Sequence, residues 1–237
     1  EIRLSLVGSE MCIRDRTSTV RYSEKMICRS YAYSSHDTRV GTLYAPIVRQ
    51  AQLDVLDSAA VNTTEHLAMT VSIDTDKGTS KVIHPLGKDI LAARMATQWL
   101  AMTDSRESSE STVPSGPLAR RASAMEEDAS TGTVTFAEGT AKGLRAMTPN
   151  YITKATATNL VKSASNPLQG FEVAGQDGVF YTADASIQGN TVIVHSDKVT
   201  KISQVCYLWG LAPNSSSMLY NSVNLPASPF LLGVGKE

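Results

Sequence analysis

Two helices and one strand are predicted in the first hundred residues from the spacing of their apolar positions. Residues 43–60 fit a helix with Pro46 in its first turn, and residues 88–103 fit a second helix. Between them, residues 67–74 alternate in polarity as a strand does, and the run stops at the turn-forming segment Asp74–Gly78. The predicted buried faces are Ile47, Val48, Ala51 and Val55 in the first helix, and Leu91, Met95, Trp99 and Met102 in the second. This order of elements predicts an α/β fold with a parallel sheet.

A different pattern follows a Ser/Thr-rich stretch at residues 103–117, which is typical of a linker or a long surface loop. Short strands are predicted beyond it, and residues 188–190 form the turn before the fourth of them. These strands cover 133–136, 171–173, 179–181, 191–195 and 205–209. Residues 139–143 fit a hairpin turn, and residues 149–167 an irregular insertion. Short strands at this spacing predict a β-sandwich.

Composition narrows the function classes without choosing among them. The chain has 237 residues, 42% of them hydrophobic, and a net charge of −1. Such a chain has no general electrostatic attraction to nucleic acid or anionic lipid, and no apolar run reaches the ~18 residues of a membrane span. Its three cysteines, an odd number, have no metal-ligand spacing. We therefore expect no metal or cofactor, no nucleic-acid partner and no membrane partner.

The histidines are the main candidates for chemistry. His84 lies in a predicted loop between a strand and a helix, which is where catalytic side chains gather in α/β folds. By position it is the best candidate for a general base, although a loop histidine is more often just a surface residue. A nucleophile is harder to find, because the sequence has no Gly-x-Ser-x-Gly, Gly-Asp-Ser or Gly-Glu-Ser turn.

Several segments together resemble the sialate O-acetylesterase family. The segment 219–230, with the sequence LYNSVNLPASPF, is similar to the closing signature of that family, and LQGFEVAG at 168–175 is similar to another of its segments. The block Ile83-His84-Pro85 with Lys88 and Arg94, the run VRQAQ at 48–52 and the strand ending in Tyr207-Leu208-Trp209 add to the resemblance. Cys206 stands where an arginine is usual. The resemblance covers roughly residues 31–237 and is thinnest at 104–165.

The resemblance implies a serine esterase that removes acetyl groups from sugars. Its catalytic domain would have the SGNH-type three-layer α/β/α fold, in which the serine and the oxyanion-hole residues come early and the histidine late. His84 would then be the general base, and the nucleophile region would be missing from this chain. An SGNH enzyme usually has an aspartate two or three residues before the histidine, where this sequence has Val82 and Lys81. Asp76 and Asp74 are the acids that could orient His84, although both also fit plain turn chemistry.

With this resemblance the sequence divides into four parts. Residues 1–16 resemble a translated sequencing adapter, and 17–103 would be the C-terminal part of an SGNH-type esterase domain. Residues 104–130 would be a linker, and 131–237 an accessory β-sandwich. The predicted fold is thus partial α/β followed by a β-sandwich, with an acetylated sugar as the partner. Two sequons, at Asn62 and Asn214, and the resemblance favour a secreted or lysosomal location.

A second hypothesis remains open at this stage. The chain could be a non-catalytic β-sandwich module that binds carbohydrate or protein and retains a remnant α/β segment. Trp209 and Tyr220 could then stack on sugar rings, although aromatic residues in sandwich strands more often fill the core. By either hypothesis we expect these 237 residues alone to hydrolyse no acetyl ester.

Overall fold

The computed structural model describes residues 25–29, 41–54, 56, 67–75, 88–104, 113–148, 161–162, 167–209 and 217–235. Several of the sequence predictions lie outside these residues. They are the adapter-like segment 1–16, Val55, His84, Asp76, most of the insertion 149–167, and the sequons at Asn62 and Asn214.

The first part of the chain forms a β-α-β unit followed by a second helix. Strand β1 (Lys25–Arg29) pairs in parallel with β2 (Leu67–Val71), and helix α1 (Gly41–Asp54) lies between them in sequence. Helix α2 (Lys88–Asp104) contacts β2. Residues 68–75 are all buried, as expected for a parallel strand that is covered on both faces. This confirms the predicted parallel pairing, whereas the three-layer SGNH arrangement stays a prediction.

The predicted buried face is wrong for α1, and for α2 it is wrong at Trp99, while Leu91 and Met95 are half-buried. Ile47 and Val48 of α1 and Trp99 of α2 are 56%, 47% and 41% exposed. The buried positions include Arg49 and Leu53 in α1, and Ile90, Arg94 and Gln98 in α2, so each buried face contains an arginine. Each buried arginine donates hydrogen bonds to backbone or side-chain oxygens of neighbouring elements, and these bonds make a polar side chain stable on the inner face. The spacing of apolar residues alone therefore did not predict the buried face.

Three antiparallel sheets make up the rest of the described residues. The first sheet has the order β3-β4-β10-β9, the second β13-β11-β7-β8 and the third β12-β5-β6. The bounds are β3 (Ala119–Ala124), β4 (Thr131–Phe136), β5 (Arg145–Thr148), β6 (Val161–Lys162), β7 (Phe171–Ala174), β8 (Phe180–Thr182), β9 (Asp184–Gln188), β10 (Thr191–His195), β11 (Gln204–Tyr207), β12 (Met218–Tyr220) and β13 (Phe230–Gly233). All five strands predicted after residue 117 are present, and six others were missed. The turn at 138–143 is not a hairpin, because β4 and β5, which it joins, belong to different sheets.

One apolar core joins the sheets to the α/β part. Val134 and Val192 of the first sheet, and Phe171 and Phe230 of the second, are fully buried and belong to the same cluster as Met69 of β2. The rings of Phe171, Tyr207 and Phe230 pack against one another, with centroids 4.6 to 6.2 Å apart. The described residues therefore share a single core across the predicted domain boundary.

The segment predicted as a linker is closely packed where the structure describes it. Strand β3 lies inside the range 104–130 and pairs with β4. Just before it, Gly116 is buried so tightly that an added Cβ would lie 2.0 Å from the carbonyl oxygen of Pro226. The first sheet thus begins at Ala119. Among the described helices, none has the length and apolarity to cross a membrane.

Candidate functional site

The turn after β2 holds Asp74, one of the acids predicted near the site. The turn is closed by Thr75, whose N–H and hydroxyl both donate to the carbonyl of Ser72. Asp74 is 6% exposed and accepts two hydrogen bonds from the guanidinium of Arg94, at 2.6 and 2.7 Å. Arg94 also donates to the carbonyl of Val71 at 2.9 Å. This bidentate pair fixes the end of β2 against helix α2.

Tyr220, from the far end of the chain, completes this group. Its hydroxyl donates to Oδ2 of Asp74 at 2.9 Å, and its side chain is fully buried. Burial disfavours the charge of Arg94, but the carboxylate of Asp74 outweighs this effect, so the pKa of Arg94 is raised. Both oxygens of Asp74 are therefore engaged, in a buried cluster that links β2, α2 and β12. We call Asp74, Arg94 and Tyr220 the buried triad.

Further polar contacts connect the helices to the β sheets. Gln98 of α2 donates to the carbonyls of Met69 and Pro114, at 2.9 and 2.8 Å, and accepts a hydrogen bond from Thr70. In α1, Arg49 donates to the carbonyl of Trp209 at 2.9 Å, and Gln50 accepts the N–H of Leu231 at 2.9 Å. These bonds connect β2 to α2, and connect α1 to the segments that carry Trp209 and Leu231.

A cavity of about 300 Å³ lies between β2, α2 and the loops at 114–116 and 223–226. Most of its lining is apolar, and includes Met69, Val71 and Pro226. Arg94 and Gln98 also line it, but their hydrogen bonds serve the contacts between helix and strand. The volume is at the lower limit of small-molecule sites, and the described residues place no nucleophile in it.

A serine, a histidine and an aspartate come together beside the first sheet, in a group that no sequence motif indicated. Nδ1 of His195 lies 3.2 Å from Oγ of Ser130, and Nε2 lies 2.9 Å from Oδ1 of Asp197. The hydroxyl of Ser130, however, donates to Oδ1 of Asp128 at 2.5 Å. The hydrogen bond with Asp197, opposed by some desolvation, raises the pKa of His195 and favours its protonated form. Because the Ser130 hydroxyl donates to Asp128 and not to His195, the imidazole is not placed to take the serine proton, and the group lacks the polarity of a catalytic triad.

The structure also shows where the remaining candidate residues from the sequence lie. Tyr220 lies in the core, as the sequence analysis favoured over sugar stacking, and Trp209 is half-buried. Burial, together with the carboxylate of Glu172, raises the pKa of the Cys206 thiol far above neutrality, so it is no nucleophile at neutral pH. No group of three potential metal ligands occurs among the described residues.

Comparison with known proteins gives an informative match among solved structures. Neither a family model nor a curated protein matches the sequence. Among solved structures, a carbohydrate acetylesterase from Xanthomonas citri is similar, with a TM-score of 0.55 and 27% sequence identity. The match covers 77% of this chain and 36% of that one, so the chain spans little more than a third of its neighbour's length. This similarity supports the prediction of a carbohydrate-esterase type of fold.

Proposed function

We propose that this chain belongs to a carbohydrate O-acetylesterase of the sialate type, which removes O-acetyl groups from sialic acids or related sugars. The observation that carries the proposal is the similarity to a carbohydrate acetylesterase over 77% of the chain. The segments 168–175 and 219–230, which resemble the sialate O-acetylesterases, support the finer assignment.

In the proposed mechanism His84 is the general base. Its imidazole takes the proton of a serine hydroxyl while the serine oxygen attacks the acetyl carbonyl. The protonated His84 then gives this proton to the oxygen of the departing sugar, which leaves an acetyl-serine. Water, activated by the same histidine, releases acetate and restores the serine. The serine and the oxyanion donors are proposed to lie outside these 237 residues, because no motif for them occurs in the sequence.

The contacts of Asp74 bear on which acid orients His84. Arg94 and Tyr220 engage both of its oxygens, which supports a structural role for Asp74. We therefore assign the orienting role to Asp76 or, in its place, to a backbone carbonyl.

The second candidate function is a non-catalytic carbohydrate- or protein-binding module, and it is favoured by the lack of any recognisable nucleophile motif.

A substrate panel tests the proposal. The product of the longest reading frame that encodes this chain is assayed for acetate release from an O-acetylated sialic acid, an O-acetylated xylan and an aryl acetate. We expect release from the sialic acid to be the most efficient by kcat/KM. Preference for the xylan would refute the sialate assignment alone, and the absence of acetate release from all three would favour the binding module.

A further inference from the structure

A second cavity, of about 370 Å³, is lined only by residues of the β-sheet region. It opens between the turn that joins β7 to β8 and the loop that joins β10 to β11. Its lining residues are Gly175, Gln176, Asp177, Tyr181, Lys198, Val199, Thr200 and Lys201. This volume accommodates a single sugar ring with its solvent.

The walls of this cavity combine polar and apolar surface and carry an excess of positive charge. Two lysines, Lys198 and Lys201, face one carboxylate, that of Asp177, in a chain whose net charge is −1. The neighbouring Asp197 is engaged by His195 at 2.9 Å. Gln176 and Thr200 add an amide and a hydroxyl, which can donate to and accept from sugar hydroxyls.

The backbone around the cavity is held in place before any ligand binds. Asp177 accepts the N–H of Val179 at 3.2 Å, and Gly178 donates to the carbonyl of Gly175 at 3.2 Å, so the β7–β8 turn is closed. On the other wall, Val199 is buried and donates to the carbonyl of Ser196 at 3.1 Å. A rigid frame lowers the ordering cost of binding.

One of the two ammonium groups is also positioned. Nζ of Lys198 lies over the ring of Tyr181, 5.6 Å from its centroid, which is within the range of a cation–π contact. Tyr181 is half-buried, so its ring is a fixed surface for this ammonium group. A positioned ammonium beside hydroxyl-binding groups suits a ligand that carries both a carboxylate and hydroxyls.

We propose that this cavity is a binding site for a carboxylated sugar. Lys198 and Lys201 would bind the carboxylate, and Asp177, Gln176 and Thr200 the hydroxyls. None of its lining residues belongs to the buried triad, and the site needs no ester chemistry. It could hold an acidic sugar of a polymer while another part of the protein acts on that polymer.

Nuclear magnetic resonance titration of the 237-residue protein tests this site without any turnover. Glucuronate and N-acetylneuraminate are the probes. Glucose is the control for a sugar ring without a carboxylate, and acetate is the control for a carboxylate without a sugar ring. We expect saturable shifts confined to residues 175–181 and 198–201 with both acidic sugars. Either control binding as tightly as glucuronate, or no shift with either acidic sugar, would overturn the proposal.

Single substitutions identify the side chains that bind glucuronate. Lys198→Gln and Lys201→Gln should each weaken glucuronate binding about three- to tenfold, since each removes one charge-assisted contact at an exposed site. Tyr181→Phe keeps the ring and should bind normally, whereas Tyr181→Ala should resemble Lys198→Gln. Lys142→Gln, the same charge change at an exposed lysine of the 138–143 turn, should have no effect. Equal weakening by Lys142→Gln would show an effect of net charge and would overturn the site. If the product of the longest reading frame releases no acetate while glucuronate binding persists, the proposed function fails and this site stands.

Discussion

The hydroxyl of Tyr220 donates a hydrogen bond of 2.9 Å to Oδ2 of Asp74, 146 residues earlier in the chain. The bond joins the last segment of the β region to the end of the parallel strand β2. Because Arg94 binds the same carboxylate through two nitrogens, three distant segments meet at one buried charge. This contact makes the α/β part and the β sheets depend on each other for stability.

Removal of single members of the buried triad should have graded effects on stability. Asp74→Ala leaves the Arg94 guanidinium buried without its counterion, and should lower the free energy of unfolding by about 3–5 kcal/mol. Tyr220→Phe removes one hydrogen bond to a carboxylate that keeps its arginine, and should cost about 1–2 kcal/mol. Urea denaturation of the chain measures both values.

Tyr181→Phe is the matched control for the tyrosine. Its hydroxyl has no hydrogen bond among the described residues, so we expect a change within about 0.5 kcal/mol. If Tyr220→Phe is as mild as this control, the Asp74–Tyr220 contact does not contribute to stability.

Close packing at residues 113–118 gives a second prediction. Gly116→Ala would place a methyl group 2.0 Å from the carbonyl oxygen of Pro226, and backbone atoms must move to relieve the contact. We expect a loss of about 2 kcal/mol or more in the free energy of unfolding. Gly233→Ala is the control, because an added Cβ there meets nothing within 4 Å. A mobile linker at 113–118 would instead tolerate both substitutions equally.

Protonation of His195 gives a third prediction. The hydrogen bond to Asp197 raises the pKa of His195 above its ordinary 6.5 in the folded state. Its contribution to stability is therefore complete below the unfolded pKa of about 6.5 and is lost as pH rises through the folded pKa. Asp197→Asn should lower the pKa of His195 measured by nuclear magnetic resonance, and should flatten the decline in stability over this range. An unchanged pKa in the variant would contradict the assignment.

The sequence predicted the positions of helices and strands better than it predicted which helix faces are buried. Alternation and β-branched residues located β10 closely, because a half-buried strand shows its two faces in its period. The predicted buried face was wrong for α1, and for α2 at Trp99, because Arg49 and Arg94 are buried through hydrogen bonds to oxygens that lie 160 and 20 residues away. Periodicity in one segment carries no information about such partners.

The candidate site was predictable only through resemblance. Arg94 belongs to the sequence block with His84, and Tyr220 to the closing signature, but nothing in either segment indicates that they meet at Asp74. Similarly, Ser130 and His195 are 65 residues apart and come together through the pairing of β4 with β10. Long-range sheet register decides these contacts, and local spacing does not encode it.

Catalysis by the 237 residues alone is a fourth prediction. We expect no hydrolysis of an aryl acetate or an O-acetylated sialic acid above that of an equal concentration of imidazole, since a histidine without its nucleophile and oxyanion hole retains little activity. Ser130→Ala should leave this background unchanged, because the hydroxyl of Ser130 donates to Asp128. Turnover above the imidazole control that disappears in Ser130→Ala would identify the Ser130–His195 group as an active site.

We propose above all that His84 is the general base of an acetylesterase. The rate of acetate release by a variant without the His84 imidazole tests this most directly. The measurement compares kcat for O-acetylated sialic acid between the product of the longest reading frame and its His84→Ala variant, with the fold of both checked by circular dichroism. We predict that kcat falls by about 10²–10⁴-fold while the spectrum is unchanged. A variant with near wild-type kcat would contradict the claim.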